Sequence, residues 1–179
     1  MKKQLFTIFV IALVGLLSTD VSAQKFSKLD KSPLDVATYP SSHREADKLV
    51  KVTYSRPFLK GRSVESLAPK GKVWRTGANE AVEITFFEDV LFGGKEVEEG
   101  TYSLFTIPGD KEWTFILSKD RNVWGAYSYN KKNDVVRVQG KVSKNTMKLE
   151  NFSIAFGNDM TMFLGWDTTL VKLPISVED

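Results

Sequence analysis

The sequence WRTGANE at residues 74–80 contains the densest group of side chains able to bind a small polar ligand. Arg75 offers a planar guanidinium that suits a carboxylate or a phosphate. Thr76 and Asn79 add a hydroxyl and an amide, and Glu80 adds a negative charge. We therefore expect a polar pocket here for an anionic or polyhydroxyl ligand. In the alternative interpretation, Arg75 pairs with an internal acid and Asn79 bonds its own backbone in a turn.

Two residues outside this segment are further candidates for ligand binding. Arg56 follows a predicted strand and could reach the same pocket, or it could cover an apolar edge at the surface. Trp124 begins a predicted strand over residues 124–129, in which Tyr127 and Tyr129 would share one face. These aromatic rings could form a platform for a sugar or a peptide, or they could be half of a sandwich core.

The composition leaves few residues for catalysis or metal binding. The chain has no cysteine, which excludes disulfides, thiol catalysis and cysteine-based metal sites. Its single histidine, His43, lies in a polar segment without a predicted rigid element to hold it, so we expect no Ser-His-Asp site, no metal and no cofactor. Glu80 and Glu83 would point to opposite faces if both lay on one strand, and then could not act as a glycosidase pair alone.

The first 23 residues have the three parts of a secretory signal peptide. Two lysines precede an uncharged, mostly apolar run from Leu5 to Leu17, and small residues lead to a cleavage site between Ala23 and Gln24. The run is shorter than the ~20 residues that span a bilayer. We therefore expect a periplasmic or secreted protein with no membrane span after signal removal. Gln24 stands where a lipoprotein would carry cysteine, so we expect no lipid anchor.

The remainder of the chain is typical of a β-rich domain. Residues 24–48 are polar and contain two prolines, which predicts an extended leader. From residue 49 onward, apolar and polar residues alternate along several short segments separated by turns, for example at 50–55 and 82–86. The alternation predicts a single antiparallel β-sandwich (jelly-roll-like) or flattened barrel of about 8–10 strands over residues 49–175. Helical segments of the length that parallel βαβ folds need are missing.

One hairpin can be located from its turn residues. Two β-rich runs, 101–107 and 113–118, flank the dipeptide Pro108-Gly109. Proline fixes φ near −65°, and glycine permits the positive φ that the third residue of a type II turn requires. We therefore predict an antiparallel hairpin closed by a type II turn.

Several blocks of sequence, taken in order, resemble a known family. They are YSRP at 54–57, KGR at 60–62, GKVWRTGANE at 71–80, GTYSLFTIPG at 100–109 and WG at 124–125. Together they resemble the exported bacterial family called domain of unknown function 2911, over about residues 34–175. The segment after Arg62 departs from the usual pattern of that family. The resemblance implies an exported β-rich domain of a Gram-negative bacterium, and it implies no activity.

Three functions are compatible with these features. The first is a non-catalytic binding or accessory module for a small ligand, a glycan or a cell-envelope partner. The second is a hydrolase, lyase or isomerase with Glu80 as acid or base and Arg75 or Asn79 as oxyanion donors. The third is a structural or assembly protein of the envelope. Nucleic-acid binding is not expected, because the net charge is only +3 and the basic residues are dispersed.

Overall fold

The computed structural model describes residues 24–177. This part of the chain is mostly β-structure, with one short helix, α1, and one 3-10 turn at Lys131–Asn133. The strands and the helix are, in chain order, β1 Leu34–Tyr39, β2 Val50–Ser55, α1 Val64–Leu67, β3 Val82–Phe86, β4 Val90–Phe92, β5 Lys95–Val97, β6 Gly100–Ile107, β7 Glu112–Ser118, β8 Asp134–Phe156, β9 Met162–Leu173 and β10 Ile175–Val177. Within the described range, no helix is both long enough and apolar enough to cross a bilayer.

The strands form two antiparallel sheets. Seven of them make a curled sheet in the order β1-β2-β3-β6-β7-β8-β9, and a small sheet has the order β10-β4-β5. Neighbouring strands in both sheets run antiparallel. The predicted antiparallel sandwich or flattened barrel is therefore confirmed. The hydrogen-bonded order follows the chain order closely, as expected where short turns join successive strands.

The main core lies on the inner face of the curled sheet. Alternate residues of β2 and β3 face inward, and Val52 lies directly opposite Ile84 in the register of the two strands. Both side chains are fully buried. Large aromatic side chains fill the centre of this core, and four of them pack against one another: Trp74, Trp113, Phe152 and Trp166.

A second, smaller apolar cluster lies on the outer face of the sheet. Phe105 and Ile116 are fully buried there and pack with Ala81. The loop over residues 119–130 covers them with Val123 and other apolar side chains. The strand predicted over residues 124–129 is wrong, because this segment has one isolated bridge followed by turns. Its apolar residues cover the sheet rather than extend it.

The segment expected as a polar leader contains the edge strand β1. Leu34 pairs with Ser55 across β1 and β2, and the Arg56 backbone N–H donates to the Pro33 carbonyl at 3.0 Å. The longest strand, β8, pairs with β9 in a register that is interrupted twice. The predicted signal peptide, residues 1–23, lies outside the described residues.

The hairpin at Pro108-Gly109 forms as predicted, between β6 and β7. Its turn is not of type II, because Gly109 does not have a positive φ. Glycine is required there for a different reason. A Cβ atom at position 109 would lie 2.3 Å from the Glu112 carbonyl oxygen, so the loop closes too tightly for a side chain.

Candidate functional site

The bend at residues 74–80 is fixed by backbone hydrogen bonds to three other parts of the sheet. Trp74 exchanges two bonds with Thr106 of β6, at 2.7 and 2.9 Å. The Ala78 N–H donates to the Ser55 carbonyl of β2, and the Asn79 carbonyl accepts from Gly125 of the covering loop at 2.9 Å. The bend is therefore a rigid element, as a preorganised binding site requires.

The middle of the bend is packed against the protein interior. Thr76 is fully buried, and its Oγ1 lies 3.1 Å from Thr106 Oγ1. Thr76 has a φ of 59°, a conformation that is rare for a β-branched residue. A Cβ atom at Gly77 would lie 3.0 Å from the Ser55 carbonyl oxygen, so glycine permits this close approach. The interior therefore encloses the side chain of Thr76, a predicted ligand-binding residue, and Thr76 lines neither of the clefts described below.

Arg56 does not join the pocket either. Its guanidinium forms an ion pair with Asp35 at 2.8 Å and donates to the Phe152 carbonyl at 3.0 Å and to Ser153 Oγ at 2.6 Å. These contacts join β2, β1 and β8. Arg56 is therefore a structural residue with its hydrogen-bonding capacity largely used, and it lines neither of the clefts described below.

The larger of two clefts next to the bend has a volume of about 430 Å³ and opens on the outer face of the sheet. Of the predicted ligand-binding residues, this cleft brings together Asn79, Glu80 and Trp124. Asp30 and Asn122, from distant parts of the sequence, add to its polar lining. Glu83 of β3 also lines the cleft, so with Asp30 and Glu80 there are three carboxylates.

The charge of this cleft is negative. Asp30, Glu80 and Glu83 all line it, and none of the ion pairs within residues 24–177 includes them. The backbone N–H of Ser32, 2.7 Å from Asp30 Oδ1, and the Asn79 amide hold the pKa of Asp30 below its ordinary value of 3.8. This carboxyl is therefore ionised at neutral pH. The expected anionic ligand does not suit this cleft, whereas a polyhydroxyl ligand does.

Glu80 and Glu83 do not lie on one strand, so they do not point to opposite faces as two residues of one strand at this spacing would. Glu80 precedes β3, which begins at Val82, so the period of two does not apply to the pair. Both carboxylates line the same cleft, and Glu83 Oε1 accepts from the Asn122 backbone N–H at 3.2 Å.

Trp124 is the one predicted aromatic residue that borders this cleft. It is 58% exposed, while its backbone is joined to Glu80 by an isolated bridge. Tyr127 instead lies over the Arg75 guanidinium, 5.9 Å from the ring centroid, and Tyr129 bonds Asp134. The strand that would have placed Tyr127 and Tyr129 on one face does not form, because the segment turns instead of extending.

Arg75 lines a second cleft on the other side of the bend. It is half-buried, and its Nη1 donates to the Asn79 carbonyl at 3.1 Å. This cleft has a volume of about 250 Å³ and shares Asn79 and Ser32 with the larger one. Arg75 and Glu80 thus line different clefts, so the proposed catalytic grouping of Glu80 with Arg75 is not assembled in either.

The described residues show no cluster of three or more histidine, cysteine or carboxylate side chains that could hold a metal ion. His43 is exposed between β1 and β2. Sequence reasoning missed Asp30 and Asn122 as lining residues. Asn122 has a φ of 55°, a turn conformation that asparagine tolerates well, but its place beside Glu83 depends on how the loop folds over the sheet.

Comparison with known proteins gives one match. A family model described as a protein of unknown function, DUF2911, matches residues 32–175. No curated protein and no solved structure matches the chain. The matched range includes the bend, the covering loop and both clefts except Asp30, and it confirms the resemblance seen in the sequence blocks.

Proposed function

We propose a binding function for this chain, which belongs to the DUF2911 family: an exported, non-catalytic module that holds a neutral glycan in the larger cleft. The observation that carries the proposal is Trp124, a large aromatic ring left 58% exposed at a cleft lined with carboxylates and amides. Ligand sites are typically concave and combine aromatic side chains with a few polar groups, as the lining of this cleft does.

The chemistry of the lining suits sugar hydroxyls. Carboxylates accept two or more hydrogen bonds from hydroxyl groups, and the amides of Asn79 and Asn122 both donate and accept. The indole of Trp124 offers an apolar face against which the C–H face of a pyranose ring can pack. An anionic sugar would meet the charges of Asp30, Glu80 and Glu83, so the neutral form is the one proposed.

Export is part of this proposal and depends on the signal-peptide pattern of residues 1–23. We expect the mature protein, expressed in a Gram-negative host, to be recovered from the periplasm or the medium with Gln24 as its first residue. Intact-mass measurement of the purified protein tests this, and recovery of the full-length chain from the cytoplasm would contradict it.

The glycan site is tested by titrating the protein with cellotetraose, maltotetraose and chitotetraose by calorimetry and tryptophan fluorescence. We expect one of these probes to bind, and Trp124→Ala to weaken its binding by about tenfold or more, as for an aromatic residue at the centre of an interface. Phe87→Ala is the matched control, since Phe87 is 48% exposed but does not line the cleft.

Two results would overturn the proposal. One is the absence of binding by all three oligosaccharides, and the other is equal affinity in wild type and Trp124→Ala. A reducing-end assay on the same samples separates binding from catalysis. If new ends appear with wild type and not with Glu80→Gln or Glu83→Gln, the protein is a glycoside hydrolase, and the non-catalytic part of the proposal fails.

A further inference from the structure

The smaller cleft next to the bend has the opposite charge to the larger one. Arg62 and Arg75 both line it, and no carboxylate from residues 24–177 does. Trp74 and Trp166 belong to the same lining and are almost fully buried. The lining thus combines two arginines with two packed indole rings.

Both guanidinium groups are held in place without a carboxylate partner. Arg62 donates from Nε to the Leu59 carbonyl and from Nη2 to the Phe58 carbonyl, each at 2.9 Å. Arg75 donates from Nη1 to the Asn79 carbonyl. Among residues 24–177, neither arginine has an ion pair. Arg62 Nη1 and Arg75 Nε and Nη2 make no hydrogen bond within that range.

Trp166 gives a second and independent observation. Its side chain is 2% exposed, and its Nε1–H is buried without an acceptor in the described part of the chain. A buried donor without a partner is uncommon and costs stability, so it calls for an explanation. Trp166 also lines the cleft, so its indole N–H is a reporter close to the two arginines.

We propose that this smaller cleft binds the oxyanion group of a small ligand, a carboxylate or a phosphate, between Arg62 and Arg75. Arginine forks bind such groups through paired, charge-assisted hydrogen bonds. Because their positions are already fixed by the backbone carbonyls of Leu59 and Asn79, little side-chain entropy is lost on binding. The two clefts share Ser32 and Asn79, but neither arginine lines the larger cleft, so this proposal does not depend on the function proposed there.

The experiment uses the four tryptophan indole N–H signals of the ¹⁵N-labelled protein. The Trp166 signal is assigned with Trp166→Phe, and the protein is titrated with sodium acetate and, separately, with sodium phosphate. Sodium chloride at matched ionic strength is the control for screening. We expect a saturable shift of the Trp166 signal with one of the two oxyanions, no such shift with chloride, and a much smaller change at Trp124.

Charge-neutral variants then locate the binding site. Arg75→Gln and Arg62→Gln should each weaken oxyanion binding by about tenfold, while Arg44→Gln, which removes an exposed arginine far from the cleft lining, should leave it unchanged. Arg62 is exposed, so its variant should fold even if the Arg75 variant does not. A shift with acetate identifies a carboxylate site, and a shift with phosphate alone identifies a phosphate site.

Three results would overturn the proposal: no saturable shift with either oxyanion, an equal shift with chloride, or unchanged affinity in Arg62→Gln. Failure of the oligosaccharide titrations would not affect it, because those probes are neutral and are proposed to bind on the other side of the bend.

Discussion

Arg56 and Arg75 are both predicted ligand-binding residues, but their surroundings differ greatly. Arg56 bonds a carboxylate, a hydroxyl and a backbone carbonyl, contributed by two other strands. Arg75 bonds one carbonyl within its own bend and lies under one tyrosine ring. The comparison shows how to distinguish a structural arginine from a candidate ligand-binding one. The number of hydrogen-bond donors that remain unpaired is decisive, and the distance from a cleft is not.

The difference comes from what flanks each residue. Arg56 follows β2 directly, so Asp35 of β1 and Ser153 of β8 lie within reach on either side. Arg75 lies in a bend bordered by the covering loop, whose Tyr127 ring lies against its guanidinium. The sheet therefore supplies partners to the first arginine and leaves the second arginine facing a cleft.

The largest expected effect on the free energy of unfolding is that of replacing Arg56. Arg56→Gln removes an ion pair and two hydrogen bonds that join three strands, and we expect the free energy of unfolding to fall by about 1–3 kcal/mol. Urea denaturation measures this change. Ligand binding in either cleft should be unaffected. A loss below about 0.5 kcal/mol would mean that the network around Arg56 is no more structural than an exposed ion pair.

A smaller, pH-dependent effect is expected from Tyr54, next to Arg56. Burial raises the pKa of Tyr54 above its ordinary value of 10.0, so the folded state favours the protonated hydroxyl. That contribution to stability is fully present below pH 10.0 and is lost as pH rises through the folded-state pKa. Tyr102 and Tyr129, whose pKa values are also raised by burial, add to the same alkaline loss.

Tyr54→Phe separates the Tyr54 contribution. The variant should lose about 1 kcal/mol at neutral pH, because the Ile154 N–H that donates to the hydroxyl at 2.9 Å loses its acceptor. Its stability should then fall less steeply than that of wild type above pH 10.0. Denaturant midpoints measured from neutral to alkaline pH test both statements. Parallel curves for the two proteins would show that Tyr54 does not titrate in this range.

The smallest effect on stability is expected at Arg75. Arg75→Gln removes one bond to a carbonyl and one cation–π contact, each worth little in a half-exposed position. We expect a change in unfolding free energy of about 0.5–1 kcal/mol, smaller than for Arg56→Gln measured in the same urea series. If Arg75→Gln were the more destabilising variant, Arg75 would be the structural arginine of the two, which contradicts the comparison.

Much of the fold is predictable because its strands alternate strictly. Residues 50–55 and 82–86 each place apolar side chains on one face, and a half-buried antiparallel sheet is the structure that satisfies this period. β1 is harder to recognise, because Leu34 and Val36 are exposed while the polar Asp35 lies on the more buried face, and because the strand lies at the edge of the sheet. Its pairing depends on β2 rather than on its own sequence.

The site is only partly predictable, because its assembly also depends on contacts between segments that are distant in sequence. The bend and the candidate residues Arg75, Asn79 and Glu80 are visible locally, because arginine, asparagine and glycine in a turn have distinctive chemistry. Which cleft each residue lines depends on the loop that covers Phe105, and on residues near position 30, far away in the sequence. A pattern of period two does not encode such long-range placement.

The pairing of β10 with β4 has a consequence for the order in which the protein can fold. Val90 and Phe92 are fully buried, and β10 borders them from the far end of the described chain. A ribosome adds about 5–20 residues per second from the N-terminus, so β4 emerges well before its partner. Contacts between segments this distant in sequence also form slowly. Until β10 has been synthesised, Val90 and Phe92 therefore lack one of the two strands that border them, and only β5 pairs with β4.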